Sequence, residues 1–159
     1  MQHAATSADD LLPRDKILEM SGLEFLQAIA EGRIASPAIA GTLNFRLKEA
    51  GEGRVVFTAR PEFAASNPWG AVHGGWYGAL LDSCMACSVQ SLLPRGSFYT
   101  TLEYKVNIVR PVPQGMEVEG IGEAQHVGRS TGISRGEVRG VADGRLYATG
   151  STTCIVMTR

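Results

Sequence analysis

"GGWYGALLDSCMACSVQSLL" runs from Gly74 to Leu93 with a single charge, Asp82, and no proline. A stretch that is apolar nearly all round predicts a helix buried on every side rather than an amphipathic surface helix. Pro94 and Gly96 end it. Just before it, "NPWGAVHGG" (Asn67–Gly75) carries the turn residues Asn67, Pro68 and Gly70. Such a helix must be wrapped, and the flanking chain supplies strands. "GTLNFRLKEA" and "RVVFTARP" alternate on either side of a "GEG" turn. Leu43, Phe45 and Leu47 share one face, as do Val55, Phe57 and Ala59, which is a hairpin signal. After the helix come "FYTTLEYKVNIVRPV", "MEVEGIGEAQHV", "TGISRGEVRGV" and "RLYATGSTTCIVM", with turns at "PQG", "GRS" and "ADG". This order predicts an α+β fold, one curled antiparallel sheet around one central helix.

The N-terminal part reads differently. The first dozen or so residues carry no structural signal. "SGLEFLQAIAEG" then predicts a short helix, with Ser21 and Glu24 at capping-box spacing and Gly32 as its stop. Leu23, Leu26 and Ala30 fall on one face with Ile29 beside them, and "IASP" reads as a linker. Residues 1–37 are therefore an extension and residues 38–159 the main domain.

Bulk properties narrow the function. The chain has 159 residues, enough for one domain that buries roughly two thirds of its unfolded surface. With 15 Lys and Arg against 16 Asp and Glu and no basic run, nucleic acid is an unfavoured partner, since phosphate binding needs clustered cations. No apolar stretch reaches the roughly 18–20 residues of a membrane span, and "MQHAATSADD" has no apolar core of a signal peptide. Three cysteines suit a reducing compartment, so the expected location is cytoplasmic.

Asp82 sits among Ala79, Leu80, Leu81, Met85 and Ala86. An ionised carboxylate there must be paired, hydrogen-bonded, shifted in pKa or open to a wet cleft. It is either a structural carboxylate or a base or nucleophile at the bottom of a cleft. Gly74 and Gly75 follow His73 at the helix start, where unpaired N–H groups and partial positive charge favour a developing oxyanion. The alternative is a plain glycine-rich start capped by His73. At about 100° and 1.5 Å per residue, His73 and Asp82 lie on nearly opposite sides of the helix and roughly 13 Å apart along it. One bond in one substrate cannot meet both from a single chain. If both act, a symmetric dimer must share its sites between subunits.

"NPWGAVHGG" followed by "LLD", and the later "TLEYKVNIVRP", resemble the hotdog-fold acyl-CoA thioesterases of the phenylacetyl-CoA thioesterase-like group, within the 4-hydroxybenzoyl-CoA thioesterase superfamily. The resemblance spans residues 38–157. It implies a hotdog fold, a homodimer often paired into a homotetramer, and hydrolysis of acyl-CoA thioesters. It implies no metal and no cofactor beyond the coenzyme A of the substrate. By motif, Asp82 would attack the thioester or activate water, and the Gly74 amide would polarise the carbonyl. Asn67 would hold the water or orient the site, His73 would position the Gly74 turn, and Thr101 would stand near the reacting water. Arg110 would meet a coenzyme A phosphate. The turn "HVGRST", with His126, Gly128, Arg129, Ser130 and Thr131, would lie along the coenzyme A tail. In some members an N-terminal helix covers the acyl pocket.

Two other motifs carry less. "GRSTG" (Gly128–Gly132) matches a nucleophile elbow, but strands flank it and His3, His73 and His126 all precede Ser130, so it reads as a hairpin turn. "CMAC" (Cys84–Cys87) lies past Asp82 inside the buried helix, and Cys154 supplies no second pair, so these read as small core residues. Trp69, Trp76 and Tyr77 are candidates for either the acyl pocket or the core. Glu103 and Lys105, alternating with Leu102 and Tyr104, read as a solvated strand face. Asp9, Asp10, Glu117 and Glu119 read as surface charge. Two rivals to hydrolysis stay open: a hotdog hydratase or dehydratase with His73 as acid, and a non-catalytic acyl-CoA binding module.

Overall fold

The computed structural model describes residues 2–158. Three short helices open the chain, α1 (Arg14–Leu18), α2 (Gly22–Ala30) and α3 (Ala38–Thr42). A hairpin follows, β1 (Phe45–Gly51) and β2 (Arg54–Ala59), then the long helix α4 (Gly74–Gln90). The chain finishes with β3 (Ser97–Ile108), β4 (Val118–Val127), β5 (Thr131–Gly140) and β6 (Leu146–Thr158). All six strands form one sheet in the order β1-β2-β4-β5-β6-β3, antiparallel throughout. α4 packs against every one of them. This is the α+β arrangement that the buried helix and its flanking strands predict, and the hotdog fold that the resemblance implies.

The helix is the core. Trp76, Tyr77, Leu80, Leu81, Cys84, Met85 and Val89 are each no more than 2% exposed. Burying each large apolar side chain contributes about 1.5–3 kcal/mol. The polar tips are satisfied: Trp76 Nε1–H donates to the Leu43 carbonyl at 2.9 Å, and the Tyr77 hydroxyl accepts from Val112 N–H at 2.7 Å. Trp76 and Tyr77 are thus core residues, whereas Trp69 is 89% exposed on its loop. Glycines let the sheet close on the helix. A Cβ on Gly122 of β4 would overlap the Cys84 carbonyl, and one on Gly136 of β5 would stand 2.7 Å from Met85 Cγ.

Three expectations need correction. The first dozen residues are not free chain. Ala4 bridges Ser36, with Ala5 N–H donating to Ser36 O at 2.8 Å and Ser36 N–H to His3 O at 2.9 Å. A turn at Ala8–Asp10 is held by the Asp10 carboxylate, which accepts from the N–H groups of Thr6 and Ser7. The partners are backbone groups of the "IASP" segment, which leave no periodicity to read. In α2 the capping box forms as expected, but the buried stripe is Gly22, Leu26, Ala28 and Ile29, with Leu23 only half-buried. Gly22 takes the contact with α4, because any side chain there would overlap the Gln90 carbonyl. On β3 Glu103 and Lys105 are exposed as expected, but Leu102 and Tyr104, at 60% and 46% exposed, are equally open, so the strand does not alternate. β3 is a sheet edge, and its register shifts between Thr101 and Glu103, which breaks the alternation.

Gly122→Ala should lower the unfolding free energy by about 1–3 kcal/mol, the usual cost of overpacking. Urea denaturation measures it, and an unchanged midpoint would mean that β4 and α4 are not in backbone contact.

Candidate active site

α4 runs antiparallel to β3 and meets it at three places. Gly74 lies against Ile108, Gly78 against Tyr104, and Asp82 against Thr101. Thr101 Oγ1–H donates to Asp82 Oδ1 at 2.9 Å. Among the described residues, Thr101 is the one group that hydrogen-bonds this carboxylate. Burial raises the Asp82 pKa above the ordinary value of 3.8, and the Thr101 hydrogen bond pulls it partly back. The carboxylate also lines a cavity of about 260 Å³. A half-buried carboxylate with one neutral donor and an open side is poised to take a proton from water or to attack. A wider groove of about 370 Å³, beside Ser36, Asn44 and Arg60, contains none of the sequence-predicted site residues.

The helix start carries the second group. His73 is the N-cap, in extended backbone, and its Nδ1 accepts from Gly75 N–H at 2.9 Å. This fixes the ring at the glycine turn. Gly74 is exposed, and among the described residues nothing accepts from its N–H. A free donor at the positive end of a 17-residue helix is suited to an oxyanion. Asn67 organises the approach: Oδ1 accepts from Trp69 N–H at 3.0 Å and from Ala71 N–H at 3.1 Å. His73 N–H is tied to Ala65 O at 2.8 Å, which anchors the turn to the preceding loop.

The remaining predicted residues fall at two ends. Arg110 donates to Leu146 O at 2.7 Å and lies 5.7 Å over the Tyr147 ring, next to the Gly74 end of α4. The turn holding His126, Gly128, Arg129, Ser130 and Thr131 caps the β4–β5 hairpin, with Gly128 N–H donating to Thr131 O at 2.8 Å. It is a hairpin turn, as read, and not a strand-to-helix elbow. Gly132 beside it packs on Val89, toward the far end of α4. Thr131 pairs with Ile155, while Arg110 holds Leu146. At about 3.4 Å per residue, these positions on β6 are roughly 30 Å apart. The predicted site residues therefore fall into two separated groups on one chain. One is Asp82 and Thr101 with the 126–131 turn, and the other is Asn67, His73 and Gly74 with Arg110.

The cysteines take no part. Burial pushes the Cys84 thiol well up and holds Cys87 at about 12, so neither is a thiolate at neutral pH. Cys87 and Tyr99, which line the Asp82 cavity, carry no signal in the sequence for doing so; their spacing from Asp82 becomes meaningful only once β3 is laid along α4.

The profile of the thioesterase superfamily matches residues 70–152. The chain belongs to the thioesterase superfamily. Its chemistry is thioester hydrolysis, and the family expected from the Asn67–Asp82 motif is the one found. Among solved structures, a phenylacetic acid degradation-related protein from Ralstonia eutropha JMP134 is 30% identical, covering 82% of this chain and 98% of its own, with a TM-score of 0.74. A hypothetical thioesterase from Streptococcus pneumoniae TIGR4, solved with coenzyme A, is 25% identical over 77% of this chain and 92% of its own, with a TM-score of 0.68. A thioesterase from Haemophilus influenzae shares the fold at 20% identity, covering 86% of this chain and 90% of its own at a TM-score of 0.72. No curated protein matches the chain. No helix among the described residues is long and apolar enough to cross a membrane.

Asp82 makes a prediction about stability. Its folded pKa is raised, so the fold prefers the protonated form. Below about 3.8 both folded and unfolded chains hold the proton and there is no penalty. As pH rises from about 3.8 to the raised folded value the unfolded chain gives up its proton first, so a penalty builds over that interval and stays constant above it. Asp82→Asn removes the penalty, so the variant should melt higher than wild type at pH 8 and equally near pH 3.5. Calorimetry at both pH values checks this. A variant less stable at pH 8 would show that the carboxylate stabilises the fold.

Proposed function

We propose that the protein hydrolyses acyl-CoA thioesters in a dimer whose two sites are each shared between subunits. The observation that carries this reading is the separation of the two half-sites along β3. β3 is an edge strand of 12 residues with Leu102, Tyr104 and Ile108 all at least 46% exposed, and Val109 just past its end is 58% exposed. A long, apolar, unpaired edge favours pairing with another strand. A two-fold axis at Lys105, with that residue facing its own copy, would set Thr101 of one strand within one residue of Ile108 of the other. Thr101 marks Asp82 and Ile108 marks Gly74. The same operation that covers the apolar edge therefore carries the Gly74 donor of one chain to the Asp82 carboxylate of the other. Two such dimers would form the homotetramer.

In this site the thioester carbonyl accepts from Gly74 N–H. Asp82 then either takes a proton from water as it adds to the carbonyl carbon or adds itself. The carbon–sulfur bond breaks and the thiolate of coenzyme A leaves, taking up the proton given up by the water; where Asp82 has added itself, a water then cleaves the acyl–Asp82 anhydride, which frees the acid and restores the carboxylate. His73 and Asn67 position the donor through their hydrogen bonds to the turn. Thr101 orients Asp82. Arg110 of one chain and the 126–131 turn of the other flank the coenzyme A. The reaction runs on protein groups and water. The hydratase reading is less well supported, because the family model that matches the chain is that of the thioesterases; His73 Nδ1 holds the helix cap, which leaves Nε2 as the one nitrogen that could act as an acid.

Thiol release from acyl-CoA measures the activity. Asp82→Asn should reduce kcat by about a hundredfold or more, the scale of a lost base. Gly74→Pro deletes the donor at the first helical position, where proline is tolerated, and the extended His73 before it suits a following proline. It should cost about 10²–10³ in kcat. Wild-type rates in both variants would remove Asp82 and Gly74 from the reaction.

A further inference from the structure

The cavity beside Asp82 has walls from three sources. It is lined by Asp82, Ser83 and Ala86 of α4, by Phe98 at the start of β3, and by Ile17 of α1 and Phe25 of α2. The N-terminal helices are not a loose flap. Gly22 N–H donates to Leu93 O at 2.9 Å, Gly96 N–H to Leu18 O at 2.9 Å, and Arg95 pairs with Glu24 at 2.6 Å. These bonds clamp α2 and the end of α1 onto the loop after α4. The lining contains no Lys, Arg or His, and Asp82 is its one carboxylate. Nothing in it would receive a negative charge, and Asp82 repels one. At about 30 Å³ for each water-sized group, 260 Å³ holds roughly eight or nine carbon-sized groups.

We infer that this cavity is the acyl pocket and that α1 and α2 set its depth, so that the preferred substrates carry an uncharged apolar acyl group of about eight carbons. The inference rests on the proposed hydrolysis at Asp82 and names its substrate class. The acyl chain enters past Asp82, lies along the Ser83 and Ala86 face of α4, and ends against Phe25 and Ile17. The thioester stays at the mouth, where the carboxylate meets it. Phe25 limits length, and Ser83, next to the reacting carboxylate, leaves width at the mouth.

The test is kcat/KM for thiol release by the full chain with straight-chain acyl-CoAs from acetyl to hexadecanoyl, and with glutaryl-CoA. From butanoyl to octanoyl the value should rise about fourfold per methylene, the worth of a buried CH₂. It should fall at least tenfold by dodecanoyl, and glutaryl-CoA should lie at least tenfold below hexanoyl-CoA. Phe25→Ala should move the optimum at least two carbons longer, and Ser83→Phe should move it shorter. A flat profile, equal rates with glutaryl and hexanoyl, or an optimum unmoved in both folded variants would overturn the inference while leaving thioester hydrolysis intact. Absence of thiol release from every thioester would overturn hydrolysis instead. The pocket is then read by binding alone: octanoyl-CoA should bind Asp82→Asn at least tenfold more tightly than acetyl-CoA, and equal affinities would overturn it.

Discussion

A helix with one charge has to be covered on almost every side, and the rest of the molecule follows from how that is done. α4 offers no polar face, so the sheet curls until all six strands touch it. The closeness of the wrapping shows in Gly122 and Gly136, where no side chain fits between strand and helix. One residue breaks the apolar surface. Asp82 has a single hydrogen bond from Thr101 and a pKa raised by burial, which is poor economy for a structural carboxylate and good preparation for a reactive one.

The wrapping also fixes where the chemistry is incomplete. Laying β3 beside α4 puts the Gly74 donor at one end of the edge strand and Asp82 at the other, with the exposed Leu102 and Tyr104 between them. A sheet that ends in a twelve-residue strand with its outer side open invites a second copy. The apolar edge and the separation of Asp82 from Gly74 are thus two consequences of one topology. The N-terminal helices complete the other side, closing the space next to Asp82 without supplying any charge to it.

Much of this was legible in the sequence because it is written in local terms. The run from Gly74 with its single charge, the β1–β2 hairpin alternation and the alternation of β4 and β5 each have a period that matches their element. The Ser21–Glu24 capping box, the 128–130 turn and the core cysteines were equally readable. What failed to read was non-local. His3 and Ala5 are tied to Ser36 through backbone groups. Gly22, not Leu23, faces α4 because a close helix crossing needs the smallest residue. Leu102 and Tyr104 look like core positions on a strand, but the sheet order leaves them at an edge. The site was legible as a list, through the Asn67, His73, Gly74 and Asp82 spacing. That Thr101 bonds Asp82, and that Arg110 and the 126–131 turn lie at opposite ends of β6, needed the register.

The central claim is that each site takes Asp82 from one chain and Gly74 from another, and mixing two inactive chains tests it most directly. Asp82→Asn and Gly74→Pro chains, co-expressed and purified together by two different tags, form dimers with one fully wild-type site and one doubly altered site. The account predicts that these mixed dimers recover about half of the wild-type thiol-release rate per dimer, while each variant alone stays inactive. Mixed dimers as inactive as either parent would place both groups of a site on the same chain and contradict it.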